Sequence, residues 1–168
     1  MARKRWAAVV AVVGVLGLAA ALAAFQPWKL WVDQQAQEAD LSVAPGPALP
    51  GQRESGPEKV FEGSVWRSYS HGETTGKVKV YRLPDGSYTV RLEDLSTSNG
   101  PDVKVVLSPK PFDQVGELGS DRLTLAALKG NEGSSNYEVP AGTDLSRYRS
   151  AVIWCERFDA VFAASAIS

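Results

Sequence analysis

The sequence is poor in the residues that build most cofactor and catalytic sites. It has 168 residues but one cysteine, Cys155, and one histidine, His71. A single cysteine excludes an intramolecular disulfide. One Cys and one His cannot supply the roughly four ligands of a structural zinc site, and covalent c-type haem attachment needs two cysteines before a histidine. No cysteine stands just after the apolar N-terminal run, so lipid attachment there is also excluded. Nucleophile-elbow, phosphate-loop and zinc-protease motifs are missing as well, so no autonomous enzyme is read from the chain. No residue pattern names a cofactor or a metal.

Basic excess is lacking too. With Arg3, Lys4, Arg5 and Lys29 set aside, 14 basic residues face all 19 acidic ones from Asp33 onward. Such a domain is a poor nucleic-acid binder.

What is present begins with a long apolar run. Trp6 to Phe25 carries no charge and is built of Ala, Val, Leu and Gly. Twenty helical residues rise about 30 Å, the thickness of a bilayer's hydrocarbon core. Arg3-Lys4-Arg5 precedes the run; Trp28, Lys29 and Trp31 follow it. Basic residues inside and aromatic residues at the interface predict a single-pass helix over 6–25, with residues 1–5 in the cytoplasm and the C-terminal portion outside a cell membrane. A cleaved signal peptide, with Ala21-Leu22-Ala23 as its processing site, is the competing reading. The run is longer than the 7–15 residues of a signal-peptide core.

Residues 26–59 read as a linker rich in Gln, Pro and Gly. Pro45, Pro47, Pro50 and Pro57, with Gly46, Gly51 and Gly56, prevent a continuous helix or central strand. Its first part, Asp33 to Leu41, is expected to extend the membrane helix by two turns, and the remainder to form a flexible stalk.

From residue 60 to 168 short runs alternate with turns. Lys77–Tyr81 and Tyr88–Glu93 alternate in polarity around Pro84-Asp85-Gly86-Ser87, a hairpin signal. Asn99-Gly100-Pro101-Asp102 is a second turn, followed by a strand from Val103 to Leu107. Leu123–Leu128 reads equally as strand or short helix. Tyr137 and Val139 form a short strand, Asp144–Tyr148 one capped helical turn, and Ala151–Cys155 a strand covered on both faces. The last strand is expected from Phe158 to Ile167. Short strands without a long amphipathic helix predict an all-β, antiparallel sandwich or barrel-like domain.

Several segments together resemble the DM-thirteen domain family, an extracytoplasmic all-β module associated with electron transfer. They are Phe61-Glu62-Gly63, Thr75-Gly76-Lys77-Val78, Tyr88 to Ser108, Leu128-Lys129-Gly130-Asn131, Tyr137-Glu138-Val139-Pro140 and Ile153-Trp154-Cys155-Glu156-Arg157-Phe158. The resemblance implies a redox role centred on Cys155. Animal relatives carry the module beside haem-binding modules; this chain has none, so its electron partner would be another extracytoplasmic protein.

Read from the residues alone, Cys155 is either a buried structural thiol or, with Glu156 and Arg157 opening a turn, a thiol near the surface whose thiolate Arg157 favours. Trp154 points to the opposite strand face and reads as core. His71, in Tyr69-Ser70-His71-Gly72-Glu73, is an exposed loop residue or a ligand or proton carrier. Glu93, Asp94 and Asp102 lack the spacing of a dedicated calcium loop. The alternative to redox chemistry is a non-enzymatic extracellular binding or adhesion module.

Overall fold

A computed structural model describes residues 2–25, 32–42 and 56–168, and within the N-terminal helix the side chains of Trp6 and Val10–Ala24. The anchors expected at Arg3, Lys4, Arg5, Trp28, Lys29 and Trp31, and the breakers Pro45, Gly46, Pro47, Pro50 and Gly51, lie outside the described side chains. The helix α1 runs Ala2–Phe25, and its described apolar side chains are exposed. Among the described residues no helix is long and apolar enough to cross a membrane.

The rest is a sandwich of two five-stranded sheets. In the first, the order is β1 (Gln35–Gln37), β8 (Glu132–Val139), β5 (Tyr88–Ser96), β4 (Thr75–Arg82) and β2 (Glu58–Gly63). In the second, it is β3 (Trp66–Ser68), β10 (Ala160–Ala166), β9 (Ser150–Cys155), β6 (Val103–Ser108) and β7 (Leu123–Ala127). All pairings are antiparallel except β1 on β8. Two separate sheets settle the sandwich over the barrel.

The period-two alternation sets which side chains fill the middle. Val78, Val80, Val90 and Leu92 from one sheet meet Val103, Val105, Leu107, Ile153 and Cys155 from the other. The expected hairpin is β4–β5. Leu83 N donates to Ser87 O at 2.8 Å, Asp85 Oδ1 accepts from Ser87 N at 2.9 Å, and Gly86 takes φ 83°. The second sheet buries its outer face too: Val106, Val152, Trp154, Val161 and Ala164 pack under Val115 and Phe112. This is why Ala151–Cys155 is apolar at both parities.

One open reading is settled and two expectations are corrected. Leu123–Leu128 resolves into strand β7. The last strand starts at Ala160, because Glu156–Phe158 forms a 3-10 turn closed by Asp159 in the left-handed region, φ 47°. Most consequentially, residues 33–41 do not continue the helix. They run extended as β1 along β8 and then cross the outer face of the first sheet, because that face offers charged partners that a helix would forgo.

Candidate functional site

Two constellations stand out. The first surrounds Cys155, at the end of the sandwich where β4 begins and β5 ends. Cys155 closes β9, opposite Val103 on one side and Ala160 on the other. Its position in the strand turns Sγ into the inter-sheet core, where the residue has 0% exposure. Of the two readings of Cys155, the buried thiol is the one the fold adopts and the thiol near the surface is not. The strand end is where the sequence put it, but the alternation aims the side chain inward, opposite to Trp154.

The loop Thr97–Asp102 closes over this end. Glu156 N donates to Asp102 O at 2.9 Å. Gly100 is needed for the closure: a Cβ there would lie 3.0 Å from Val103 Cγ2 and 3.2 Å from Phe162 Cζ. Lys104 Nζ bridges Asp102 Oδ1 at 2.9 Å and Glu156 Oε2 at 3.5 Å, and Asp102, foremost, raises its pKa. His71 is exposed, with φ 62°, and its ring lies 5.0 Å from that of Phe162, a member of the core that also holds Cys155. A small polar hollow of about 70 Å³ sits beside them, lined by Asn99, Asp102 and Asn131 among others. Trp154, on the far face, donates from Nε1 to Asp159 Oδ1 at 3.0 Å and carries the Arg122 guanidinium 4.6 Å from its ring centroid.

The second constellation is a charged network on the outer face of the first sheet. Lys79 and Arg91 face each other across β4 and β5. Lys79 Nζ bonds Glu93 Oε2 at 2.6 Å and Asp40 Oδ2 at 3.0 Å; Arg91 Nε bonds Glu93 Oε2 at 3.0 Å. Arg91 Nη1 reaches the carbonyls of Glu38 and Ala39 at 3.1 and 3.0 Å and Asn136 Oδ1 at 3.0 Å. Tyr81 Oη donates to Asp40 Oδ1 at 2.7 Å. Residues 33–42 thus form a strap that covers two cations and Glu93 and contributes Asp40 to the same network. Farther back, Asn131 pins the strap's start: Gln34 N donates to its Oδ1 at 2.6 Å, and its Nδ2 donates to Asp33 Oδ1 at 2.8 Å. Glu93, weighed as part of a calcium site, is occupied by these cations, and among the described residues no cluster of three or more His, Cys, Asp or Glu is placed to hold a metal ion.

The strap's carboxylates titrate low. Burial pushes Asp40 up, but the Ser42 N–H, the Tyr81 hydroxyl and the Lys79 ammonium together outweigh it and hold the group far below the carboxylate range. Glu38 is lowered first by Lys129 and also by the Asn136 N–H. Both groups bind protons less readily folded than unfolded, so the stability they contribute is present above about pH 4 and drains away below it. We expect the Glu38 amide, which donates to Ser134 O at 2.8 Å, to lose hydrogen-exchange protection on acidification before the β4–β5 amides do. Simultaneous loss throughout the sheet would show that the strap has no separate acid response.

Sequence reasoning missed Asp40, Lys79, Arg91 and Asn131. Lysine and arginine alternating with valine read as a solvated face; the one available signal was that positions 79 and 91 come opposite in the predicted hairpin.

A family model described as Electron transfer DM13 matches residues 65–167, more than half of the chain. No curated protein and no solved structure compared with the chain matches it.

Proposed function

The chain belongs to the Electron transfer DM13 family, and from that premise we propose that it is a membrane-tethered, extracytoplasmic redox domain whose redox group is Cys155. The family match carries the redox part. The tether rests on the charge-free run from Trp6 to Phe25 behind Arg3-Lys4-Arg5, which by the positive-inside preference exports the sandwich. The partner on this reading is another redox protein outside the membrane.

The burial of Cys155 shapes the chemistry. Thiol exchange requires a thiolate in contact with the attacking group, so the reactive form is a locally opened one in which the 156–159 turn and the Thr97–Asp102 loop part. Native protein should therefore react with a thiol reagent far more slowly than unfolded protein, with a rate that climbs at denaturant concentrations below global unfolding. The decisive variant is Cys155→Ala, not Cys155→Ser. A serine hydroxyl buried without a partner costs about 1–3 kcal/mol and would confound loss of function with loss of fold. Incubated with glutathione disulfide, the purified full chain should form a mixed disulfide at Cys155, its thiolate displacing one glutathione thiolate, and Cys155→Ala should form none. Native protein that forms no adduct at any denaturant concentration below global unfolding removes Cys155 from the reading, and haem or metal absorption in the native optical spectrum would move the redox group to a cofactor.

A second reading, a non-enzymatic binding or adhesion module, draws on one observation. β1 pairs with only the first half of β8, and an open groove of about 920 Å³ runs along the other half, between Leu41, Tyr88, Leu125, Glu138 and Pro140.

A further inference from the structure

The geometry points to a fixed orientation: the Cys155 end of the sandwich docks, through Phe158 and Val32, onto the bilayer interface from which α1 emerges. This rests on the reading of α1 as the membrane anchor and adds to it where the domain sits and what covers that end.

The argument begins with the length of the connection. A flexible stalk would leave orientation open. The strap removes most of that freedom, because residues 33–42 are hydrogen-bonded into the sheet and are part of the domain. Val32 is held as well, its carbonyl accepting from Asn99 Nδ2 at 2.7 Å. Only residues 26–31 separate the end of α1 from Val32, and the seven Cα steps from Phe25 span at most about 25 Å.

The second step is where that connection enters. β1 starts alongside the start of β8, Gln35 beside Glu132, and Glu132 pairs with Ser96 at the end of β5. This is the end that carries the Thr97–Asp102 loop, the His71 loop, Cys155 and the 156–159 turn. The eight residues of β8 extend about 26 Å to the opposite end. Fully stretched, the tether only equals the length of the sandwich, so in any conformation short of full extension the opposite end, with Gly86 and Ala141, is the one turned away from the bilayer.

The third observation is what this end exposes. Phe158, at the tip of the turn, is 66% exposed and Val32 is 55% exposed. Aromatic and aliphatic side chains standing out on the tethered end suit the interface, where aromatic rings settle at headgroup level. Glu73, Glu156 and Arg157 are exposed at the same end and Lys104 bridges Glu156, a mixed set without basic excess that suits net-neutral, zwitterionic lipid better than an anionic surface. A partner approaching Cys155 then arrives along the membrane surface.

The test uses the full chain in phosphatidylcholine vesicles. Cys155 is buried, so an environment-sensitive thiol dye attaches to cysteines introduced at exposed positions that leave Phe158 in place: Thr75→Cys and Glu73→Cys at the tethered end, Ala141→Cys at the other. The dye at 75 and at 73 should shift to the blue and be quenched by lipids labelled near the headgroup, while the dye at 141 stays unquenched. If the protein floats with the vesicles but the 75 and 73 dyes are unquenched, or 141 is quenched, the docking is overturned and the anchor stands. A blue shift at 75 and 73 without lipid quenching means that protein covers this end and also overturns it. Failure to float removes the anchor and the docking with it.

Discussion

Replacing Arg91 by leucine is expected to lower the unfolding free energy by about 3–5 kcal/mol, because the change leaves a sealed carboxylate without its balancing cation. Arg91 is only 4% exposed. Its Nε holds Glu93, and Nη1 serves three further acceptors, the carbonyls of Glu38 and Ala39 and the side-chain oxygen of Asn136. The leucine removes all four bonds and leaves Lys79 alone against Asp40 and Glu93. Arg91→Lys should recover only part of the loss, since an ammonium cannot reproduce the planar fork that serves β5, β8 and the strap together. The double variant Arg91→Leu/Glu93→Leu should be less damaged than the single one, because it removes one charge of each sign and leaves the Lys79–Asp40 pair matched. Urea unfolding of all three variants measures this. A single-variant cost within about 0.5 kcal/mol, the range of ordinary surface changes, would show that the network is solvated and its geometry incidental.

Gly133→Ala should detach the strap. Gly133 takes φ 96°, in the left-handed region, and faces Ala36 in the parallel ladder. A Cβ there would sit 2.1 Å from Ala36 O, inside any contact distance. The backbone strain alone costs about 1–2 kcal/mol, and the steric conflict can be relieved only by moving β1 away. The ties that depend on β1 then go with it: the bonds of Lys79 and Tyr81 to Asp40, and the Glu38 amide to Ser134 O. Limited proteolysis should cut within 33–42 in the variant and not in the native chain, while exchange in β4 and β5 stays slow. Unchanged resistance to cleavage would mean that the strand is held by something other than this close approach. The same variant bears on orientation. With the strap loose, the tether lengthens by about ten residues, and the dye at Glu73→Cys should lose part of its lipid quenching.

Much of the fold was written in local pattern. The hairpin around Asp85-Gly86, the turn at Asn99–Asp102 and the strands 103–108 and 150–155 follow from alternation and turn chemistry, because each depends on neighbours within a few residues. The one cysteine, the one histidine and the missing motifs restrict the chemistry through composition alone. The ordered segments from Phe61 to Phe158 carried the family, which the match over 65–167 shows. What the sequence could not convey depended on distant partners. Asp33–Leu41 has no pattern of its own that separates helix from strand; it runs extended, with Gln35–Gln37 as a strand, because Gly133 leaves room for the Ala36 carbonyl and because Lys79 and Arg91 on the sheet face hold Asp40 and the carbonyls of Glu38 and Ala39. Cys155 was located at a strand end by its sequence, yet whether its thiol met water depended on which face of β9 turned toward the other sheet. Burial is a property of how two sheets stack, and a charged face is covered or open according to a segment some 40 residues away. Neither is encoded within reach of a local window.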